Sequence, residues 1–362
     1  MQLFASNIEF YNFRNYSDNT FLLDPKLTIL LGKNAVGKTN AIEALQLLTS
    51  GDSFRSPLTE ELVKLNEEQS SISLAITNEK RNIETKLVIT DNKKQFYLNG
   101  KKTNTRGIRG ILPSILFNPD DLQIVKGAPG LRRKSLDNFG IQLHKYYSQV
   151  KNEFEKALTQ RNKILKEDYI DLNLLEAWTD SLITHATMFY LYRTSLFDRL
   201  YPYIKEIYKV LAPKEVLDIS YIPSFTSRPK QEDKSSVYKA LYDNYKEVKD
   251  QELQRKVSLF GPQKDDICFY INQKDARTYG SQGQQRSIVL AIKMAEVKLV
   301  QEMLSMSPLL LLDDVMSELD SDRRDALLNF IDNSVQTVIS TTHLSYFNEE
   351  TLSKAQVITL EK

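Results

Sequence analysis

The period of apolar positions changes along the chain, and each change marks an element. Residues 27–32, LTILLG, form a short unbroken apolar run, the pattern of a strand buried on both faces. Residues 71–77 (SISLAIT) and 83–90 (IETKLVIT) alternate apolar with polar, the period-2 pattern of half-buried strands. The Asn-Gly pair in YLNGKK (97–102) predicts a tight hairpin turn. Residues 1–125 therefore read as β-rich, interrupted by TNAIEALQLLTSG, a helical segment that Gly51 closes.

From 126 to 256 the spacing becomes helical. Leu143, Tyr147, Val150, Phe154 and Ala157 alternate steps of four and three; Leu175, Trp178, Leu182, His185, Phe189, Tyr192 and Leu196 do so again. Such seams predict helices packed lengthwise, an antiparallel arm inserted in another domain. His185, on that seam, is expected as a packed, hydrogen-bonded core histidine. Residues 212–236 interrupt the helices with strand and loop signals.

The segment 257–362 returns to an α/β pattern. Strands are predicted at 266–271, 309–312 and 335–341, and helices at 283–306 and 321–331.

Composition restricts the function. The chain of 362 residues is 41% hydrophobic and 26% charged, an ordinary balance that can bury a full core. With 48 Lys+Arg against 47 Asp+Glu the net charge is +1, so any nucleic-acid partner must be held by a local basic patch. The single cysteine, Cys268, excludes an intrachain disulfide, and three scattered histidines argue against zinc. The start MQLFASNIEF lacks the pattern of a signal peptide, and no run approaches the roughly 18 apolar residues of a membrane span. The expectation is a reduced, cytoplasmic protein with no membrane partner.

GKNAVGKT (32–39) fits the phosphate-loop pattern G-x-x-x-x-G-K-[ST] in its required strand–loop–helix setting. Gly32, Lys33, Asn34, Ala35, Val36 and Gly37 are expected to curl their backbone around phosphate. Lys38 would reach the β/γ oxygens, and Thr39 would offer its hydroxyl to Mg²⁺. LLLLDD (309–314) predicts a buried strand ending in Asp313, placed to hold Mg²⁺, and Asp314, placed to act on the attacking water. In YGSQGQQRS (279–287), Ser281 and Gln284 predict a capping box. Ser281, Gly283 and Gln284 together could also close on a γ-phosphate from outside. The chain's own phosphate loop already has its own strand and helix, so this helix start is expected to serve a second copy.

In order, the phosphate loop, the SQGQQR signature (281–286), LLLLDD and SELD (317–320) resemble the ABC-type ATPases, and STTH (340–343) then resembles the switch segment, with His343 as its γ-phosphate sensor. The long helical insertion is similar to the DNA-repair branch related to SMC proteins. FRNY (13–16), FNPDDLQIVKGAPGLRRKSLD (117–137) and GPQKDD (261–266) resemble the RecF family of recombination mediators. Three departures stand out. Ala35 replaces a usual glycine, Gln263 a frequent histidine, and the glutamine loop falls near Asn118–Gln123 without an evident glutamine at its position.

The resemblance implies an α/β ABC-type P-loop ATPase head, a mixed β-sheet with helices, carrying an inserted, mostly helical arm. It implies ATP and Mg²⁺ as cofactors, a weak DNA-stimulated ATPase acting as a switch, and an ATP-dependent head-to-tail homodimer. Arg14 would lie by the nucleotide. Implied partners are double-stranded and gapped DNA, and RecR, which with RecO helps load RecA, in support of replication restart and the SOS response. The basic candidates for DNA are Lys93, Lys94, Lys101, Lys102, Arg106 and Arg109. The alternative is the ATP-binding subunit of an ABC-type transporter, which shares the nucleotide motifs but predicts a short helical insertion and a clear glutamine loop.

Overall fold

The computed structural model describes residues 2–55, 58–225, 232–331 and 335–361. The chain forms two compact units, residues 1–121 with 286–362, and residues 122–285.

The first unit is built on two sheets. Five parallel strands lie in the order Gln356–Thr359, Leu27–Leu31, Thr337–Thr341, Leu309–Asp313, Ser114–Phe117. The strands 309–313 and 337–341 are buried at every position, so Leu309–Leu312 of the first and Val338–Ile339 of the second lie inside the unit. Because all five run in one direction, their carboxyl ends share one edge, the usual ligand edge of a parallel sheet. Six antiparallel strands form the other sheet, in the order Tyr16–Leu22, Phe4–Phe13, Gln69–Asn78, Arg81–Thr90, Lys93–Leu98, Lys101–Thr103. Alternation puts Ile8, Phe10, Ile72, Leu74, Leu87, Ile89 and Phe96 in the core with one face of the sheet, and leaves the other face polar. The hairpin turn is the expected one, with Asn99 at φ 48° and Gly100 at φ 74°, both left-handed as a type I′ turn requires.

The helix Lys38–Ser50 shares this core with strands of both sheets, so ten of its 13 residues are buried. Gly51, at φ 82°, ends it as expected.

The second unit is helical, with Pro129–Leu143, Lys145–Ile164, Leu172–Leu211 and Lys234–Arg255 as its main elements. It also contains a sheet ordered Lys274–Asp275, Asp266–Ile271, Leu217–Ile222. The sequence placed the return to the first body at residue 257, whereas the compact units divide at 286. The cause is pairing: strand 266–271 bonds along its whole length to strand 217–222.

The seam of the 40-residue helix also differs from expectation. Leu175, Leu182, Phe189 and Leu196 are buried as predicted, but the intervening row is Thr179, Ala186, Arg193 and Leu200. Trp178, His185 and Tyr192 lie half-exposed on its flank. His185 is therefore not a packed core residue; its ring stands 3.7 Å from the Glu153 carboxylate with 35% of the side chain exposed. Thr179 and Arg193 read as polar in sequence, yet they are buried because their partners are buried with them. Arg193 donates to both oxygens of Asp137 at 2.9 Å and to the Pro262 carbonyl at 2.6 Å. Arg161 donates to Thr179, Ser258 and Glu252 at 2.9, 2.7 and 2.6 Å. LRRK and GPQKDD are absorbed into the same kind of network: Arg132 is bidentate to Asp266 at 2.7 and 3.0 Å, and Arg133 donates to the Asp265 carbonyl. Gln263 donates to the Phe260 carbonyl at 2.6 Å and leaves its Oε1 buried without a partner.

Candidate nucleotide site

The loop after strand 27–31 is held in shape by its glycines and by side chains of the same chain. Gly37 caps the following helix at φ 116°, and a Cβ there would meet the Asn15 amide at 2.7 Å. A Cβ on Gly32 would meet Val36 Cγ2 at 2.7 Å and the Leu360 carbonyl at 2.8 Å. Both glycines are therefore steric requirements. The Asn15 amide donates to the Val36 carbonyl at 2.9 Å and accepts from Asn40 at 2.7 Å, and the Tyr16 hydroxyl donates to the Gly37 carbonyl at 3.0 Å. These two residues of FRNY buttress the loop. Sequence reasoning missed them, although the motif that contains them was in view.

Lys38 turns its ammonium onto the loop itself, donating to the carbonyls of Gly32 at 2.7 Å and Lys33 at 2.9 Å. Burial lowers its pKa, against the opposing pull of Asp314 and Asp313. The Thr39 hydroxyl donates to Asp313 Oδ1 at 3.0 Å, and Ser340 Oγ donates to the same oxygen at 2.7 Å. Burial raises the Asp313 pKa, and the bonds from Ser340 and Thr39 oppose it. Ser340 is a second residue the sequence reading missed. Its oxygen also accepts the Asp314 backbone N–H at 3.0 Å, so one hydroxyl positions both acidic residues. Asp314 takes a left-handed conformation, φ 52°, and its Oδ1 is buried with no hydrogen-bond partner among the described residues. A buried, unpaired carboxylate oxygen is costly, and a carboxylate that must receive a water's proton needs such a free acceptor.

Three expected residues need qualification. Arg14, at φ 55°, donates twice to Glu43 at 3.0 Å and once to the Glu61 carbonyl at 2.7 Å. Its bonds anchor the loop helix through a fully buried carboxylate, and it also lines an open cleft with Asn15, Asn40 and Arg55. His343 is exposed at the end of strand 337–341, with its backbone N–H on Thr341 Oγ1 at 3.3 Å. Asn118 follows strand 114–117, whose register sets Phe117 beside Leu312, but its side-chain carbonyl already accepts the Asp121 N–H at 3.1 Å. Lys33 and Asn34 are exposed and Val36 is buried.

In the second unit Ser281 lies exposed, and the capping box is present. Ser281 Oγ accepts the Gln284 N–H at 3.2 Å, and Gln284 Oε1 accepts the Ser281 N–H at 2.8 Å. Gln284 Nε2 also donates to Glu215 at 2.9 Å, and Gly283 is half-buried beside it. Within the first unit, Arg286 pairs with Glu318 at 3.1 Å, and Arg323 donates to Ser287 at 2.7 Å. These bonds fasten the helix Gln282–Leu304 to the segment after Asp314.

The basic candidates divide by sheet register. Lys102 pairs with Tyr97, Tyr97 with Lys86, and Lys93 with Thr90, all on the polar face. Lys94 and Lys101 share the other face with the buried Phe96. Arg106 is exposed. Arg109 is committed elsewhere: it donates to the Ser50 carbonyl and to Asp52, both at 2.6 Å, at the carboxyl end of the loop helix.

Residues 4–361 match the RecF/RecN/SMC N terminal domain. A Gloeobacter violaceus protein named DNA replication and repair protein RecF is 36% identical over 99% of this chain and 97% of its own length. The chain belongs to the RecF family. A second RecF, from Oceanobacillus iheyensis, is 36% identical over 97% of this chain and 96% of its own. Among solved structures, the recombination mediator protein RecF–ATP of the RecFOR pathway superposes with a TM-score of 0.88 at 29% identity, covering 96% of this chain and 94% of that one. An Smc head bound to the C-winged helix domain of ScpA, 14% identical with a TM-score of 0.58 over 98% and 93% of the two chains, shares the fold. The ABC-type ATPase head with a helical arm is thus the fold of this RecF-family chain. The RecF likeness extends through the arm, which the transporter alternative does not account for.

Proposed function

We propose that this RecF-family chain is an ATP-dependent DNA-binding clamp of recombinational repair. In this reading it is a weak, DNA-stimulated ATPase. Its ATP-driven head-to-tail homodimer closes on duplex DNA beside a single-stranded gap. There it helps RecO and RecR load RecA. The observation that carries the reading is an asymmetry. Lys38, Thr39, Asp313, Asp314 and Ser340 form one bonded half-site, while Ser281 stands exposed at a helix start with, among the described residues, only a capping role.

The donors fit the cofactors. Thr39 Oγ1 and Asp313 Oδ1, 3.0 Å apart, are hard oxygen ligands of the kind Mg²⁺ takes together with phosphate oxygens. Among the described residues no cluster of His, Cys, Asp and Glu offers an all-protein metal cage. Bound ATP–Mg²⁺ supplies the charge and the γ-phosphate around which the two copies close. Lys38 would turn from its two loop carbonyls to phosphate oxygens, Asp313 and Thr39 would hold the metal, Asp314 would orient the water, and Ser281 would donate to the γ-phosphate held by the other copy. An interface on the order of 1,600 Å² then depends on that phosphate, and its hydrolysis releases the dimer.

For DNA, sheet register favours a surface of Lys86, Lys93, Lys102 and Tyr97 with Arg106 over the full set of six. Each lysine that neutralises a duplex phosphate contributes about 0.9 to the slope of binding against salt.

The test is the solution mass of the Asp314→Asn variant with and without ATP–Mg²⁺ and gapped duplex. Doubling with ATP, strengthened by DNA and blocked by Ser281→Arg with monomer ATP binding intact, is expected. A monomer under every condition, or undisturbed doubling in Ser281→Arg, overturns the trans reading.

A further inference from the structure

Next to Ser281 the chain presents an aromatic ring that its own fold leaves in solvent. Tyr279 is 72% exposed, two residues before the signature serine. Its placement is fixed by bonds within the second unit. Asp275 caps the short helix Ala276–Tyr279 by accepting the Arg277 N–H at 2.7 Å. The side chain of Gln285, 2% exposed, donates to the Ala276 carbonyl at 2.8 Å and so latches that helix to the start of the signature helix. The Gly280 N–H bonds the same carbonyl at 3.2 Å, and a Cβ on Gly280 would stand 2.4 Å from that oxygen. The turn between Tyr279 and Ser281 is therefore too tight for any side chain. A second exposed apolar residue, Val216 at 66%, adjoins Glu215, whose carboxylate holds Gln284 of the capping box.

The backbone that carries Tyr279 is fixed, while most of the ring's surface stays in water. Such side chains anchor interfaces, because a ring with few rotamers loses little entropy when it is covered. We propose that Tyr279, with Val216 next to the capping-box partner Glu215, is an anchor against a second copy of this chain, packing its ring on the partner's face when Ser281 engages the partner's nucleotide. This rests on the trans reading of Ser281 and adds to it. Ser281 makes the contact depend on the phosphate, and the Tyr279 ring supplies apolar burial that outlasts any single hydrogen bond. The chemistry is carried by the ring and not by the hydroxyl.

The experiment uses the full chain in the Asp314→Asn background and measures the dissociation constant of the ATP-driven dimer by sedimentation, alongside ATP affinity at concentrations where the chain is monomeric. Tyr279→Ala is expected to weaken the dimer about tenfold or more. Tyr279→Phe should stay within about threefold of the parent, since only the hydroxyl is lost. Val216→Ser should fall between them. Monomer ATP affinity and melting temperature should be unchanged in all three. If the parent dimerises and Ser281→Arg blocks it, but Tyr279→Ala dimerises as the parent does, the anchor is refuted while the trans reading stands. A Tyr279→Phe variant as weak as Tyr279→Ala refutes the role of the ring. A parent that stays monomeric refutes both readings together.

Discussion

In the first unit Asp313 receives hydrogen bonds at 3.0 Å from Thr39 and 2.7 Å from Ser340, Lys38 is tied to two loop carbonyls, and Asn15 and Tyr16 prop the loop from below. In the second, Ser281 among the described residues bonds only its own helix start and is exposed, with Tyr279 exposed two residues before it. One set is bonded within the chain that carries it; the other has its conformation fixed and, on the trans reading proposed above, its contacts in a second copy. The difference teaches what a single chain can pay for in folding. Polar groups that are buried must be satisfied at home. Groups meant for another copy must be left outside, held by short-range devices such as a capping box.

The strongest challenge to this comparison is Lys38→Ala. It removes the donor to the Gly32 and Lys33 carbonyls and, on the proposed reading, the cation for the phosphates. We expect ATP affinity to fall about 100-fold or more, from the loss of charged hydrogen bonds, and no doubling of mass with ATP. Titration calorimetry with the sedimentation assay reads both. Persistent ATP-driven dimers in this variant would mean that the first unit is not the nucleotide half.

Next in size is a change in the arm that leaves both halves alone. Arg161 and Glu252 are each 1% exposed and pair at 2.6 Å. Arg161→Ala strands a buried carboxylate and should cost about 3–5 kcal/mol in denaturant unfolding. Removing the exposed cap with Ser281→Ala should cost no more than about 1 kcal/mol. Equal costs would place the signature segment among the structural elements and undo the contrast.

These two residues also show what was legible in the sequence. The phosphate loop, the acidic strand and the capping box were readable because each is a local pattern whose spacing has a direct geometric meaning. Arg161 and Arg193 were not, because a buried arginine looks like a surface arginine until its partner, 91 or 56 residues away, is known. That blindness displaced the predicted seam by one residue and put His185 inside it. Ser340 and Asn15 escaped for a similar reason: their value lies in bonds to Asp313 and Val36, which only the tertiary fold brings near. Strand 266–271 was found, but its sheet was not, because pairing with 217–222 leaves no trace in either segment alone.

A pH measurement sharpens the comparison by probing a buried charge in the first unit outside its half-site. Glu296 is 5% exposed and stands 3.9 Å from Lys293, which pairs with Asp121 at 3.1 Å. Burial pushes the Glu296 carboxyl from 4.5 up to about 7; Asp121 adds to the rise and Lys293 opposes it. A carboxyl raised on folding binds its proton more tightly in the native chain. Its stabilising contribution is therefore complete below the unfolded pKa of 4.5 and is lost as pH rises through about 7. Wild type should gain melting temperature between pH 8 and pH 6 relative to Glu296→Gln, whose amide does not titrate. Parallel profiles for the two proteins would show that Glu296 is ionised throughout, held by Lys293.

The smallest effect is expected at Ala35, inside the phosphate loop. It is exposed in the loop and holds φ 67°, a conformation that costs a residue with a Cβ roughly 1–2 kcal/mol. Ala35→Gly relieves that strain but gives the unfolded chain more freedom, at a cost of about 0.5–1 kcal/mol. No packing is lost with the exposed methyl, so the net should be a gain of no more than about 1 kcal/mol in unfolding free energy, with ATP affinity at or above the wild-type value. Glycine has no conformational reason to fail here, because the bonds from Asn15 and Tyr16 go to the carbonyls of Val36 and Gly37 and leave residue 35 untouched. A loss of ATP affinity in Ala35→Gly would therefore show that the methyl stiffens the loop, and that part of the first half's readiness comes from strain held at this one residue.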